Sequence, residues 1–308
     1  MKRIVIDTDT ASDDAVALLM ALRHPHVQVE AITLVSGNVS VKQATRNACI
    51  TVELCAADVP VYMGAARPLL REPFYAEFFH GPDGFGGVQL PEPEKQPESV
   101  HAVDALINIF KNSPQQIELV TLGPLTNIAL ALRQEPKLAG WIRHCTVMGG
   151  AACTVGNITP AAEYNIWCDP EAANIVFHSG VPVTLVGWEL CRGEANLLDE
   201  DMDHIRSFGT AYADFALDIN RTALKVNREW LGDPGMGLPD PVAMAVAIEP
   251  DICTRAQLCY VDVETHSDLT RGMTVVDQLG VLKKEPNVRV CWEIDVKKWK
   301  ELLYRFLV

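Results

Sequence analysis

The sequence predicts an α/β fold: a doubly wound, mainly parallel sheet flanked by helices, with a small antiparallel addition near the C-terminus. Short β-branched runs alternate with helical stretches along most of the chain, which is the pattern of repeated βα units. Acidic, amide and glycine residues recur where those runs stop, so they share the sheet edge at which open α/β folds hold ligands. The 308 residues, 48% hydrophobic, can bury a large core. No linker, repeat or low-complexity tract divides them, and residues 1–308 read as one domain.

Taken in order, Ile4, Val5 and Ile6 form the first buried strand. Ser12 or Asp13 can cap the helix that follows, whose small and apolar positions run from Ala15 to Leu22. Val27–Val35 is a second strand, ending in Ser36, Gly37 and Asn38; residues 40–57 read as a helix and Val59–Met63 as a short strand. From Ala65 to Ser99 the pattern breaks into a segment rich in Pro, Gly and aromatics, with His80 inside FFHGPDGFGG. A loop of that length in a compact domain reads as an active-site flap or a plain surface excursion. Beyond it come a helix over 100–111, a strand over 117–123, a strand over 144–150 ending in paired glycines, a helix from Asp169 or Pro170, and the strand Pro182–Gly187. Residues 199–227 read as two helical stretches, and Pro241–Ile248 as a helix with Asp240 at its start. Strand-like runs near 258–264, 272–277 and 287–294 supply the antiparallel addition, and an amphipathic helix from Val296 closes the chain.

The formal charge of −14 disfavours nucleic acid as a partner, since phosphate contacts need clustered Lys and Arg. A neutral or cationic small molecule suits it better. No apolar run is long enough to span a bilayer, and Lys2 and Arg3 precede a strand rather than the apolar region of a signal peptide. Nine cysteines, scattered from Cys49 to Cys291 without a CxxC pair, read as reduced thiols of a cytoplasmic protein.

The densest chemistry lies in DTDTASDD, residues 7–14, between the first strand and its helix. Asp7 and Asp9, two apart, point to one side of an extended backbone, while Asp13 and Asp14 sit at a helix N-terminus. Four carboxylates cannot all stay ionised in a crevice without a cation or shared protons. Oxygen ligands with no nearby His or Cys point to calcium or magnesium over zinc.

Read with VSGN at 35–38, TRNA at 45–48, LGPLTNIA at 122–129, VMGG at 147–150, AEYNIWCDPEAA at 162–173 and RGMTVVD at 271–277, this motif resembles the nucleoside hydrolases. The resemblance extends over nearly the whole chain. It implies the nucleoside hydrolase fold and calcium-dependent cleavage of the N-glycosidic bond of ribonucleosides. It further implies calcium ligation by Asp9, Asp14, Asp240 and the carbonyl of Leu122, with Asp9 also taking the proton of the attacking water. Asp13, Asn38, Asn157, Glu163 and Asn165 match the family's ribose-binding positions, and His80 matches a flap histidine that protonates or orients the base. Homodimers or homotetramers are expected from the same resemblance. One position departs from it: many members have a histidine acid immediately before the late aspartate, where this chain has Pro239. Trp188 and Trp230 are candidates to stack on the base; taken singly, each reads more readily as core or interface packing. The departure at Pro239 motivates an alternative, a hydrolase of an unusual or modified riboside; a non-catalytic nucleoside-binding protein is a third reading, against which the intact Asp9, Asp14 and Asp240 count.

Overall fold

The computed structural model describes residues 1–308. Its strands are β1 (Lys2–Thr8), β2 (Val27–Leu34), β3 (Val61–Met63), β4 (Glu118–Thr121), β5 (Cys145–Met148), β6 (Val183–Val186), β7 (Cys253–Val263), β8 (Thr274–Asp277) and β9 (Val288–Ile294). The α-helices are α1 (Ser12–Arg23), α2 (Val41–Leu54), α3 (Glu77–His80), α4 (Ala102–Asn112), α5 (Thr126–Gln134), α6 (Leu138–Trp141), α7 (Tyr164–Cys168), α8 (Pro170–Phe177), α9 (Asp199–Arg206), α10 (Ala211–Ile219), α11 (Arg221–Val226), α12 (Pro239–Ile248) and α13 (Val296–Leu307).

All nine strands join one sheet in the order β3-β2-β1-β4-β5-β6-β9-β7-β8, parallel from β3 to β9 and antiparallel in its last two pairings. The expected C-terminal addition is therefore fused to the main sheet through β9, whose Val288 pairs with Val183 of β6. Alternation along β1 sends Ile4 and Ile6 into a core beneath α1, α2, α12 and α13, and Val5 into a second core beneath α4, α5 and α8. The chain winds outward from β1 through β2 to β3, then returns to lay β4 on the other side of β1. That reversal opens a crevice beyond the C-terminal ends of β1 and β4.

Two helices buried along most of their length, α1 and α12, pack side by side. Ala15, Ala17 and Ala21 on one and Ala243, Ala245 and Ala247 on the other suit that packing, because small side chains let backbones approach.

Several boundaries differ from the sequence expectations. Helix α1 is capped by Ala11 rather than by Ser12 or Asp13: Asp14 reaches back to accept the Ala11 N–H at 2.9 Å, which satisfies that donor without a polar cap residue. Helix α12 begins at Pro239, whose missing N–H costs nothing in a first turn. Residues 199–227 hold three helices, not two, and a π-turn at Asn227–Leu231 follows. The segment 65–99 contains the single helical turn α3.

Candidate active site

Asp9 leaves the sheet one residue after β1 and lies between two glycines that admit nothing larger. A Cβ at Gly37 would stand 2.1 Å from Asp9 Oδ2, and one at Gly123 would stand 2.7 Å from Oδ1. The Asn38 backbone N–H donates to Asp9 Oδ2 at 2.5 Å, while Oδ1 is buried with no hydrogen-bond partner. Asp14, in the first turn of α1, accepts from the Thr8 hydroxyl at 2.5 Å and from Asn38 Nδ2 at 3.5 Å. The packing of α1 on α12 brings in Asp240, and Asp13, Asp14 and Asp240 each offer an oxygen within 4.8 Å of the others. Two helix N-termini thus present their positive dipole ends to one acidic cluster.

Burial pushes all four carboxyls up: Asp13 to about 7, Asp14 above its ordinary range, Asp9 and Asp240 well above theirs. Repulsion from Asp14 adds to this at Asp9, Asp13 and Asp240. Asp7 does not belong to the cluster. Because β1 ends at Thr8, Asp7 still faces the core, where it accepts from Thr33 Oγ1 at 2.5 Å and from Asn127 Nδ2 at 2.8 Å. Asn127 in turn binds the Leu34 carbonyl at 2.9 Å and the Ala65 N–H at 2.9 Å, so Asp7 fastens neighbouring loops and does not face a ligand.

A cavity of about 180 Å³ opens over the cluster, lined by Asp13, Asn38, Leu122, Asn157, Glu163, Asn165 and Asp240 among others. Asp9 and Asp14 are packed against Asp13 and Asp240 and do not themselves line it. Glu163 caps α7 and accepts backbone N–H groups from Gly150 at 2.7 Å, Asn165 at 2.8 Å and Ile166 at 3.2 Å. Asn157 Oδ1 accepts from the Tyr164 N–H at 2.9 Å. The Leu122 carbonyl accepts from Asn165 Nδ2 at 2.7 Å. These bonds fix the side chains and leave Asn157 Nδ2, Asn165 Oδ1 and the unpartnered Asp13 Oδ1 as further polar atoms of the site.

His80, expected on a flap, is buried: its Nδ1 lies 2.8 Å from Ser12 Oγ and 3.7 Å from Asp13 Oδ1. Burial lowers its pKa to about 3, so the ring is neutral at neutral pH. Trp188 is buried, donates its Nε1–H to the Val155 carbonyl at 2.8 Å, and carries the Arg192 guanidinium 4.5 Å from its ring centroid. Trp230 is 67% exposed and lies nearly parallel to Phe78, with centroids 6.1 Å apart. Phe78, Arg192, Asn196, Asn227 and Asp233 also line the cavity. Sequence reasoning missed them, and only the aromatics of FFHGPDGFGG gave any signal.

The oxygen-only cluster, with Asp9 Oδ1 and Asp13 Oδ1 left unpartnered in burial, suits a divalent cation, which would offset the repulsion that drives the carboxyls up. An oxygen-only acidic cluster at a sheet edge, ringed by amide side chains, is the kind of site that binds a polyhydroxyl ligand beside a cation. The family model described as inosine-uridine preferring nucleoside hydrolase matches residues 4–301, and the chain belongs to that family, whose members act on N-glycosidic bonds. The pyrimidine-specific ribonucleoside hydrolase RihA of Shewanella sp. (strain ANA-3) is 40% identical over 303 residues, covering 97% of this chain and 94% of its own length. RihA of Salmonella gallinarum is 37% identical, covering 97% and 96%. Among solved structures, the plant nucleoside hydrolase PpNRh1 superposes with a TM-score of 0.94 at 30% identity, covering 99% and 98%. The purine-preferring ribonucleoside hydrolase from Gardnerella vaginalis does so with 0.91 at 30%, also covering 99% and 98%.

Proposed function

We propose that residues 1–308 act as one catalytic domain that hydrolyses ribonucleosides to ribose and free base, with calcium as the resident ion. Asp9, Asp14, Asp240 and the Leu122 carbonyl would hold the ion, and Asp13 stands close enough to Asp14 and Asp240 to join them. When bound, calcium would supply charge and oxygen-binding positions that fix two ribose hydroxyls and lower the pKa of water. The observation that carries this reading is the buried, oxygen-only grouping of Asp13, Asp14 and Asp240 beside the glycine-cradled Asp9.

Asp9 accepts the proton of the attacking water, held in place by the Asn38 N–H and by Gly37 and Gly123, with its Oδ1 free of other partners. Positive charge that grows on the ribose ring as the bond to the base lengthens is stabilised by the surrounding carboxylates. Asp13, Asn38, Asn157, Glu163 and Asn165 hold the sugar hydroxyls, and a deoxyribose would leave buried polar atoms unpaired. His80, neutral and bound to Ser12, orients the flap and the substrate by hydrogen bonding. The relatives at 40% identity, named pyrimidine-specific, favour a pyrimidine ribonucleoside over a purine one. A role in nucleoside salvage, a cytoplasmic location and a homodimer or homotetramer complete the proposal, the last checked by sedimentation. Incubating the purified protein with a panel of ribonucleosides and assaying reducing sugar, with and without calcium, tests it. Release from uridine or cytidine is expected; no release from any natural or modified ribonucleoside overturns the reading.

A further inference from the structure

Cleavage of an N-glycosidic bond leaves the bonding electron pair on the base. Many enzymes meet that charge with an acid, yet the cavity offers none in its usual form. Pro239 has no proton to give, and the Tyr164 hydroxyl already donates among the Gly37 and Phe74 carbonyls at 2.7 Å and 2.5 Å. Cys191 bonds the Trp188 carbonyl at 2.9 Å. His80 stands at the ribose end, its Nδ1 bonded to Ser12 and 3.7 Å from Asp13 Oδ1, away from Arg192 and Asp233.

Arg192 is the only lysine or arginine lining the cavity. Its guanidinium enters none of the protein's ion pairs, although Asp233 shares the same wall; Asp233 instead accepts from Asn196 Nδ2 and from the Gly235 N–H at 3.3 Å. The side chain is half-buried and held over the Trp188 ring at 4.5 Å. A second cavity shares Arg192, Asn196, Leu231 and Asp233 with the first and none of the acidic cluster, which puts these four at the end away from the sugar. A cation held on a flat aromatic support, lining the cavity and entering no ion pair, keeps its N–H donors available to a ligand.

We infer that Arg192 is the residue that stabilises the departing base, and that the substrates are ribosides whose base carries a carbonyl conjugated to the glycosidic nitrogen. This rests on the hydrolase reading above. As the water oxygen bonds to the anomeric carbon and yields its proton to Asp9, the bond to the base breaks and its electron pair passes to the base nitrogen. The charge spreads to the conjugated carbonyl oxygen, where the guanidinium N–H groups meet it, and the base anion later takes a proton from solvent. Arginine only donates, so an acceptor on the base is required.

The test compares wild type, Arg192→Met and Arg192→Lys, all calcium-replete, on uridine and on 4-nitrophenyl β-D-riboside, whose phenolate departs with little help. Arg192→Met is expected to lower kcat on uridine about 10²- to 10³-fold, the usual cost of removing one charge-stabilising donor. On the nitrophenyl riboside the loss should stay below about 10-fold, and Arg192→Lys should recover part of the uridine rate. Equal losses on both substrates, a rise in KM at constant kcat, or no effect at all would overturn the assignment. A melting temperature for each variant separates misfolding from chemistry, and the nitrophenyl rate does so within the same assay. Wild type that releases no sugar from any nucleoside overturns the hydrolase reading and takes this inference with it, an outcome distinct from a selective or unselective Arg192 effect.

Discussion

The two ends of the cavity are built differently. At the end proposed to hold the sugar, the carboxylates stand on or beside regular elements and are fixed by backbone groups: Asp14 by the Ala11 N–H at the start of α1, Glu163 by three N–H donors, Asp9 by the Asn38 N–H between two glycines. At the base end Phe78 comes from a one-turn helix, Trp230 from a π-turn, and Arg192 from a segment of 3-10 turns. Trp230 is 67% exposed, whereas Asp9 and Asp14 are wholly buried. On the proposed reading, the contrast teaches that the chemistry common to all ribosides is invested in the carboxylates on regular elements, while discrimination among bases is left to loops that tolerate change.

With calcium as the proposed resident ion, a chelator attacks the rigid end most severely. Turnover is expected to vanish, and the melting temperature to fall, because the carboxylates lose the charge that offsets their repulsion; a calcium titration of the melt checks this apart from activity. Asp9→Asn comes next, with kcat down about 10²- to 10⁴-fold and stability unchanged or raised, since one buried charge is gone. Wild-type turnover in that variant would remove Asp9 from its role as base. Gly37→Ala, which drives a methyl toward Asp9, is expected to cost about 10²-fold in kcat without altering which base is preferred.

At the base end the effects shrink. Trp230→Ala should change KM and the ratio of uridine to inosine turnover by about 2- to 10-fold, with the melting temperature nearly constant, as befits an exposed stacking residue. Equal changes for both substrates would argue against base contact. An effect on stability alone concerns Glu189, beside Trp188, whose carboxyl burial pushes from 4.5 to about 7. The folded state holds that proton more tightly than the unfolded chain, so the contribution to stability is complete below pH 4.5 and is lost as pH rises through about 7. Glu189→Gln should flatten the pH dependence of stability between those values, by on the order of 2 kcal/mol, as read by urea denaturation.

The same division explains what the sequence made legible. DTDTASDD, the late Asp240, and the amides at strand ends announced the acidic and sugar-binding residues, because their chemistry is tied to the ends of regular elements. Asp7 misled: its spacing from Asp9 suggested a shared face, but the strand stops between them and Asp7 turns to Thr33 and Asn127. Leu122 shows a second gap, since nothing in a leucine reveals that Asn165 binds its carbonyl. Arg192 and Asp233 were invisible because no periodicity or motif marks residues brought together by irregular backbone.

The position of β9 has a consequence for biosynthesis. It follows every other strand along the chain, yet it lies inside the sheet, flanked by β6 and β7. A nascent chain emerging from the ribosome must therefore keep the open flank of β6 unsatisfied until residues 288–294 appear. Release of a product that stops before Val288 would expose that flank permanently, and such a fragment should be captured by chaperones or aggregate rather than persist as a smaller enzyme.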